Sequence, residues 1–202
     1  MNALLLAALL TADAGVEEPE RLPAACVGRN LDIDRLTASG RCVFNKSPRP
    51  SPDPSAIGIE MSPKKLRLRS GETGRVRITI RNLTAAPVPF DVNISCGPGG
   101  FETMLVTSDD TRADRSNHGF EMSSCTVLIV RVVLGPRGTA RLHVPVPAEK
   151  TFVSEAGNGG SVFPIEAGTY KLVVNTPFTA PVPGSNDTDI RSLTGQLTVV
   201  DR

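Results

Sequence analysis

A chain of 202 residues with 40% apolar and 21% charged side chains can bury a real core and lies outside the disordered and collagen-like classes. Its 22 basic and 21 acidic residues leave a net charge of +1, a field too weak to point to nucleic acid or an anionic membrane as partner. With no Trp, one Tyr and seven Phe, the core must come from Val, Leu and Ile, while 17 Pro and 18 Gly imply many turns and few long helices.

Residues 1–14 hold a short apolar run, Leu4 to Leu10, followed by Ala12-Asp13-Ala14. This reads as an export signal cleaved after Ala14, although no Lys or Arg precedes the run. The run is too short to span a bilayer, so no transmembrane span is expected. Residues 15–56 read as an N-terminal extension with a Cys26/Cys42 loop and a Pro-rich linker. Leu22-Pro23-Ala24-Ala25 before Cys26 resembles a bacterial lipobox. However, its Leu stands one place too far upstream and Glu17, Glu18, Glu20 and Arg21 break the apolar lead-in, which counts against a lipid anchor at Cys26.

The four cysteines, Cys26, Cys42, Cys96 and Cys125, fit two disulfides in a periplasmic or extracellular protein. Three connectivities are possible, and the expected one is Cys26–Cys42 with Cys96–Cys125. No C-x-x-C occurs, which argues against a zinc knuckle or a thioredoxin-type redox site. The alternating prolines of Ser47-Pro48-Arg49-Pro50-Ser51-Pro52-Asp53-Pro54 forbid helix and favour a stiff, solvated polyproline spacer.

From Ile57 the hydrophobic period becomes two, the mark of half-buried strands. Leu66 and Leu68 alternate with Arg67 and Arg69. After a turn at 71–74, Val76, Ile78 and Ile80 alternate with Arg75, Arg77 and Arg81. A second turn is expected at Asn82-Leu83-Thr84-Ala85-Ala86, and a strand with Val88, Phe90, Val92 and Ile94 on one face and Asp91 and Asn93 on the other. Residues 101–107 form a further strand. Thr126 to Leu134 suits a strand buried on both faces, and Gly135-Pro136-Arg137-Gly138 is expected to turn the chain into another carrying Ala140, Leu142, Val144 and Val146. Strands at 167–174 and 193–200 follow. Three loops, 108–124, 147–160 and 178–190, remain as contact surfaces. The fold class is all-β: an Ig-like antiparallel sandwich of about 7–9 strands, occupying 57–202, with the N-terminal disulfide loop and Pro-rich spacer before it.

Two phrases carry a resemblance. Ser70-Gly71-Glu72-Thr73-Gly74-Arg75-Val76-Arg77-Ile78-Thr79-Ile80-Arg81-Asn82 and Glu166-Ala167-Gly168-Thr169-Tyr170-Lys171-Leu172 together resemble bacterial extracytoplasmic Ig-like domains. The first also resembles the BsuPI-type proteinase inhibitor domain, whose tryptophan this chain lacks. The resemblance implies a sandwich scaffold and, through the second family, inhibition of an exported protease.

Catalytic and cofactor signatures are missing. There is no G-x-S-x-G and no phosphate-binding glycine motif, so neither an enzyme nor a bound cofactor is expected. Of the two histidines, His143 should point outward between the inward Leu142 and Val144. His118 and Met122 are soft ligands that could hold copper. Asp109, Asp110 and Asp114 lack the alternation of a calcium loop. Arg67, Arg69, Arg75, Arg77 and Arg81 are candidates for one basic sheet surface facing an acidic partner. Sequons start at Asn45, Asn82, Asn93 and Asn186, of which Asn82 should be accessible in its turn. The expected role is an exported non-catalytic binding module for an unknown exported or envelope protein. The alternatives are an inhibitor or chaperone-like partner of an exported enzyme, or a periplasmic copper-binding protein.

Overall fold

The structure, a computed structural model, describes residues 21–94, 100–114, 127–153, 160–181 and 188–201. In chain order its elements are β1 (Val27–Asp32), α1 (Ile33–Ser39), β2 (Val43–Phe44), β3 (Ile57–Ser62), β4 (Lys65–Arg69), β5 (Thr73–Asn82), β6 (Val88–Asn93), β7 (Glu102–Val106), β8 (Ile129–Pro147), β9 (Glu149–Val153), β10 (Gly160–Pro164), β11 (Gly168–Pro181) and β12 (Thr188–Val200). A six-stranded sheet in the order β1-β8-β5-β3, with β2 and β6 also on β8, faces a four-stranded sheet in the order β4-β12-β11-β7; β9 and β10 form a separate ribbon. The all-β sandwich is therefore present. Two pairings are parallel, β1 with β8 and β4 with β12.

The alternating apolar residues enclose one core between the sheets. Val76, Ile78, Ile80 and Val132 meet Leu105, Leu172, Val174 and Leu197 there. Phe90 and Phe178 touch edge to face across the gap, with ring centres 5.6 Å apart and planes at 72°, a favoured aromatic geometry. Tyr170 sits at the start of β11, and its hydroxyl donates to the carbonyl of Glu166 at 2.9 Å. A tyrosine tied back to its own backbone in this way is a recurring corner of Ig-like sandwiches.

The two central turns differ from expectation. Residues 135–138 do not reverse the chain: β8 runs on through them, and β5 and β6 lie end to end along one side of it. The 82–87 and 135–138 segments are aligned kinks in one long strand pair. Asn82 holds them together. Its amide donates to the carbonyls of Ala86, Leu134 and Gly135 at 2.7, 3.0 and 2.9 Å, and its carbonyl accepts from Thr84. Asn82 is consequently buried rather than accessible, because a side chain spanning a kink must face inward to reach carbonyls on both strands. On the other side of β8, a Cβ on Gly138 would lie 2.7 Å from the carbonyl oxygen of Arg29, so the close approach of β1 requires glycine.

Residues 21–56 are built into the sandwich. β1 pairs along β8, β2 pairs with its start, and Cys26 and Cys42 form a disulfide whose cysteines are both fully buried in the core. Cys96 and Cys125 lie outside the described residues. The proline run is no free spacer. Its Arg49 N–H donates to the Asp91 carboxylate at 2.8 Å and its Ser51 hydroxyl to the carbonyl of Pro177 at 3.1 Å, while Arg191 donates to the carbonyl of Pro54 at 3.3 Å. It straps the sandwich because its prolines keep it extended while its neighbours supply the hydrogen bonds.

Asp91 was expected on the outer side of its strand, yet it is buried against Arg131. The Arg131 Nη2 lies 3.0 Å from the carboxylate, with side-chain exposures of 7% and 1%. Removing one partner of such a pair strands a buried charge, so D91A or R131A should each cost about 3–5 kcal/mol. Urea unfolding should show this, with the double variant D91L/R131M costing less than the sum of the single changes.

Burial pushes the Tyr170 phenol above its usual value, and the Glu166 charge adds to the shift. A folded-state value raised above the unfolded one means that the protonated phenol's contribution is complete below about pH 10 and is lost as pH rises through the folded value. Unfolding of wild type and Y170F between pH 8 and 11 should therefore show a gap, about 1 kcal/mol at the lower end, that narrows with rising pH.

Candidate functional site

The site is built where β1 leaves the sheet. Beyond Arg141, no described strand pairs with β8 on the β1 side. The chain instead enters α1, capped by Asp32, whose carboxylate accepts from the Arg35 N–H at 3.0 Å, and ended at Gly40 with φ of 67°. The first turn of α1 brings Asp34 onto the bare edge. Its carboxylate accepts from the His143 backbone N–H at 3.1 Å and lies 2.8 Å from the ring Nδ1.

Pro145 and Pro147 follow at the two next positions whose N–H would face the same edge, since backbone groups alternate sides along a strand. The edge thus carries one capped donor and two residues with no donor to offer. The sequence places His143 outward, and it is half exposed; its partner comes from 109 residues away.

Between this edge and β7 opens a cleft of about 1010 Å³. Val92, Leu142 and Val144 supply an apolar floor. Asp34, Glu102, Arg112, Asp114, Glu149 and His143 supply charged or titratable groups around it. Arg112 ties two of these together, with Nε 2.8 Å from Asp114 and Nη2 3.1 Å from Glu102. Burial works against the guanidinium's charge, but the two carboxylates outweigh it and raise its pKa. Ile190, 51% exposed, stands at the mouth.

Each of the three segments read as contact loops reaches this cleft, through Arg112 and Asp114, through Glu149 and Thr151, and through Ile190. They are less loop-like than expected. Residues 149–153 form β9, and 179–181 pair with 188–190 as β11 with β12. Alternation was too short or too broken by Pro and Thr there to signal a strand. α1 completes the cleft; the Asp32 cap and Gly40 stop are signals that mark its ends in the sequence.

The other candidates fall apart or lie elsewhere. The five arginines do not share one sheet. Arg67 and Arg69 stand on β4 at the edge of the four-stranded sheet, whereas Arg75, Arg77 and Arg81 stand on β5 in the other. The chain changes sheets between β4 and β5, which a period of two cannot reveal. Arg81 pairs with Glu60 at 3.2 Å. His118 and Met122 lie outside the described residues.

The aspartates of 109–114 face separate partners. Asp109 accepts from the Thr107 hydroxyl, which holds its pKa down. Asp110 lies 3.5 Å from Lys171, and Asp114 is held by Arg112. Among the described residues, no group of three or more His, Cys, Asp or Glu is placed to hold a metal ion.

No family model and no curated protein matches this chain. Among solved structures, it is similar to β-glucosidase from Listeria innocua in complex with gluconolactone, at 18% identity and a TM-score of 0.35, with 71% of this chain and 16% of that one covered. The same enzyme in complex with glucose matches at 14% identity and a TM-score of 0.34 over 70% and 16%. The chain thus spans about a sixth of the length of these enzymes, and likenesses of this size carry no argument about activity.

Asp34 acts here as a cap on a strand edge. D34A should cost under about 1 kcal/mol, since the pair is exposed, while the His143 amide loses its acceptor. Amide exchange followed by NMR should show His143 exchanging at least tenfold faster in D34A, with Leu142 and Val144 unchanged.

Proposed function

We propose that this chain is an exported, non-catalytic binding module, and that its cleft receives a segment of another exported or envelope protein. One observation carries the reading: three segments far apart in sequence, together with α1, converge on a single cleft with an apolar floor and a charged rim. Binding sites on rigid scaffolds combine apolar lining with a few placed polar groups in this way.

Export is supported by the buried Cys26–Cys42 disulfide, which suits an oxidising compartment, and by the signal-like residues 1–14. Among the described residues, no helix is long and apolar enough to cross a membrane. A periplasmic or extracellular location follows from the same reading. An inhibitor or chaperone-like role is the second form of it, supported by the β9–β10 ribbon, which belongs to neither large sheet.

The test uses the oxidised protein as bait in a cell-envelope extract, beside two variants at exposed positions of the cleft: A38W, which fills it, and I190E, which puts a charge in place of an apolar side chain at its mouth. One exported protein should be enriched by wild type and retained at least tenfold less by either variant, both remaining folded by circular dichroism. If that partner is an enzyme and loses activity in the complex, the role is inhibition. No enriched protein, or equal recovery on both variants, would overturn the reading.

A further inference from the structure

The ribbon's two edges differ. The Thr151 N–H donates to the carbonyl of Asp114 at 3.0 Å, so it points away from β10, and β9 is tied down on its outer side. Thr151 stands directly opposite Val162. In an antiparallel ladder, opposed residues that do not bond each other both turn their backbone groups outward. The N–H and C=O of Val162 therefore face away from β9, as do those of Gly160 and the carbonyl of Pro164 by alternation. Val162 and Phe163 are 55% and 49% exposed, and they project from opposite faces of the ribbon.

Other described edges are guarded in the ways that prevent strands from adding to one another. β8 has the Asp34 cap and two prolines on its open side. β4 carries Lys65, Arg67 and Arg69, β3 carries Glu60, and β7 carries Glu102. Among the described strands longer than two residues, β10 (Gly-Ser-Val-Phe-Pro) is the one without a charged side chain.

We propose that β10 is a self-association edge that pairs antiparallel with β10 of a second copy of this chain. A two-fold axis at Val162, perpendicular to the ribbon, sets Val162 against Val162, Ser161 against Phe163 and Gly160 against Pro164. Each Val162 N–H donates to the Val162 carbonyl of the other copy, and each Gly160 N–H to the carbonyl of the opposing Pro164. The missing proline N–H costs no bond already made within the ribbon.

No position in this pairing meets a like charge, which is what a strand needs to lie against itself. The product is a four-stranded sheet, β9-β10-β10-β9. Because the axis is perpendicular to that sheet, the Thr151 and Glu149 face of both ribbons, and with it both clefts, lies on one side. Five residues from each copy make a small contact, so the association is weak and reversible.

Sedimentation equilibrium of the full oxidised protein, from roughly 10 μM to 1 mM, brackets the range in which a contact of this size acts. Wild type should show a concentration-dependent monomer–dimer equilibrium. V162P removes the one edge-facing donor of that residue and no donor to β9, and V162K places a charge against itself; each should raise the dimer dissociation constant at least tenfold. If the proline disturbs the ribbon, the lysine variant decides. A wild type that stays monomeric throughout, or a dimer that survives V162K unchanged, overturns the proposal. Capture of a partner in the cleft is untouched by either result.

Discussion

The ion pair between Asp91 and Arg131 holds the segment 42–49 to the sandwich. Its two side chains are almost fully enclosed, a state that is stable only when every polar atom is paired. The pairing is made by segments far apart in sequence. The Arg131 backbone N–H donates to the carbonyl of Cys42 at 2.9 Å. Its guanidinium lies over the ring of Phe44, 5.8 Å from the centre, and Nη2 reaches the carbonyl of Ser47 at 3.4 Å. Asp91 in turn accepts from the Arg49 N–H. Disulfide, β2 and proline strap thus converge on one pair of charges. The disulfide closes a loop within that segment, and the ion pair sets where the segment sits on the sandwich.

β8 is the element around which these pieces assemble. It pairs with β1, β2, β5 and β6, and its kink at 135–138 lets one strand serve two neighbours in succession. The Asn82 amide replaces the ladder bonds lost there. The strands around this kink agree in direction because their side-chain amide, glycine contacts and backbone bonds all require the same bend, a consistency across levels that marks a well-specified fold.

The cleft follows from the same constraint. β1 must leave β8 at Arg141 for α1 to reach back, and this exposes the edge-facing positions 143, 145 and 147, which could recruit another chain. The molecule closes them with a carboxylate and two prolines, while β10 carries no charge and no described strand pairs with its outer edge. That contrast separates a guarded surface, available to a ligand through side chains, from an edge suited to backbone pairing.

The period-two alternation of 65–82, 88–94 and 140–146 determined those strands and the all-β class, because alternation and burial are local consequences of a pleated backbone. The even count of cysteines pointed to disulfides but left three connectivities open, of which Cys26–Cys42 is formed. Tertiary structure decided what a one-dimensional pattern does not encode. Whether a Gly-Pro-Arg-Gly segment reverses a strand or merely kinks it depends on a partner strand lying beside it. Whether Asp91 meets water or Arg131 depends on a residue 40 positions away, and whether five arginines share a face depends on where the chain changes sheets. The cleft belongs wholly to this second class, since its walls come from α1, β7, β8 and β9, and only packing brings them together.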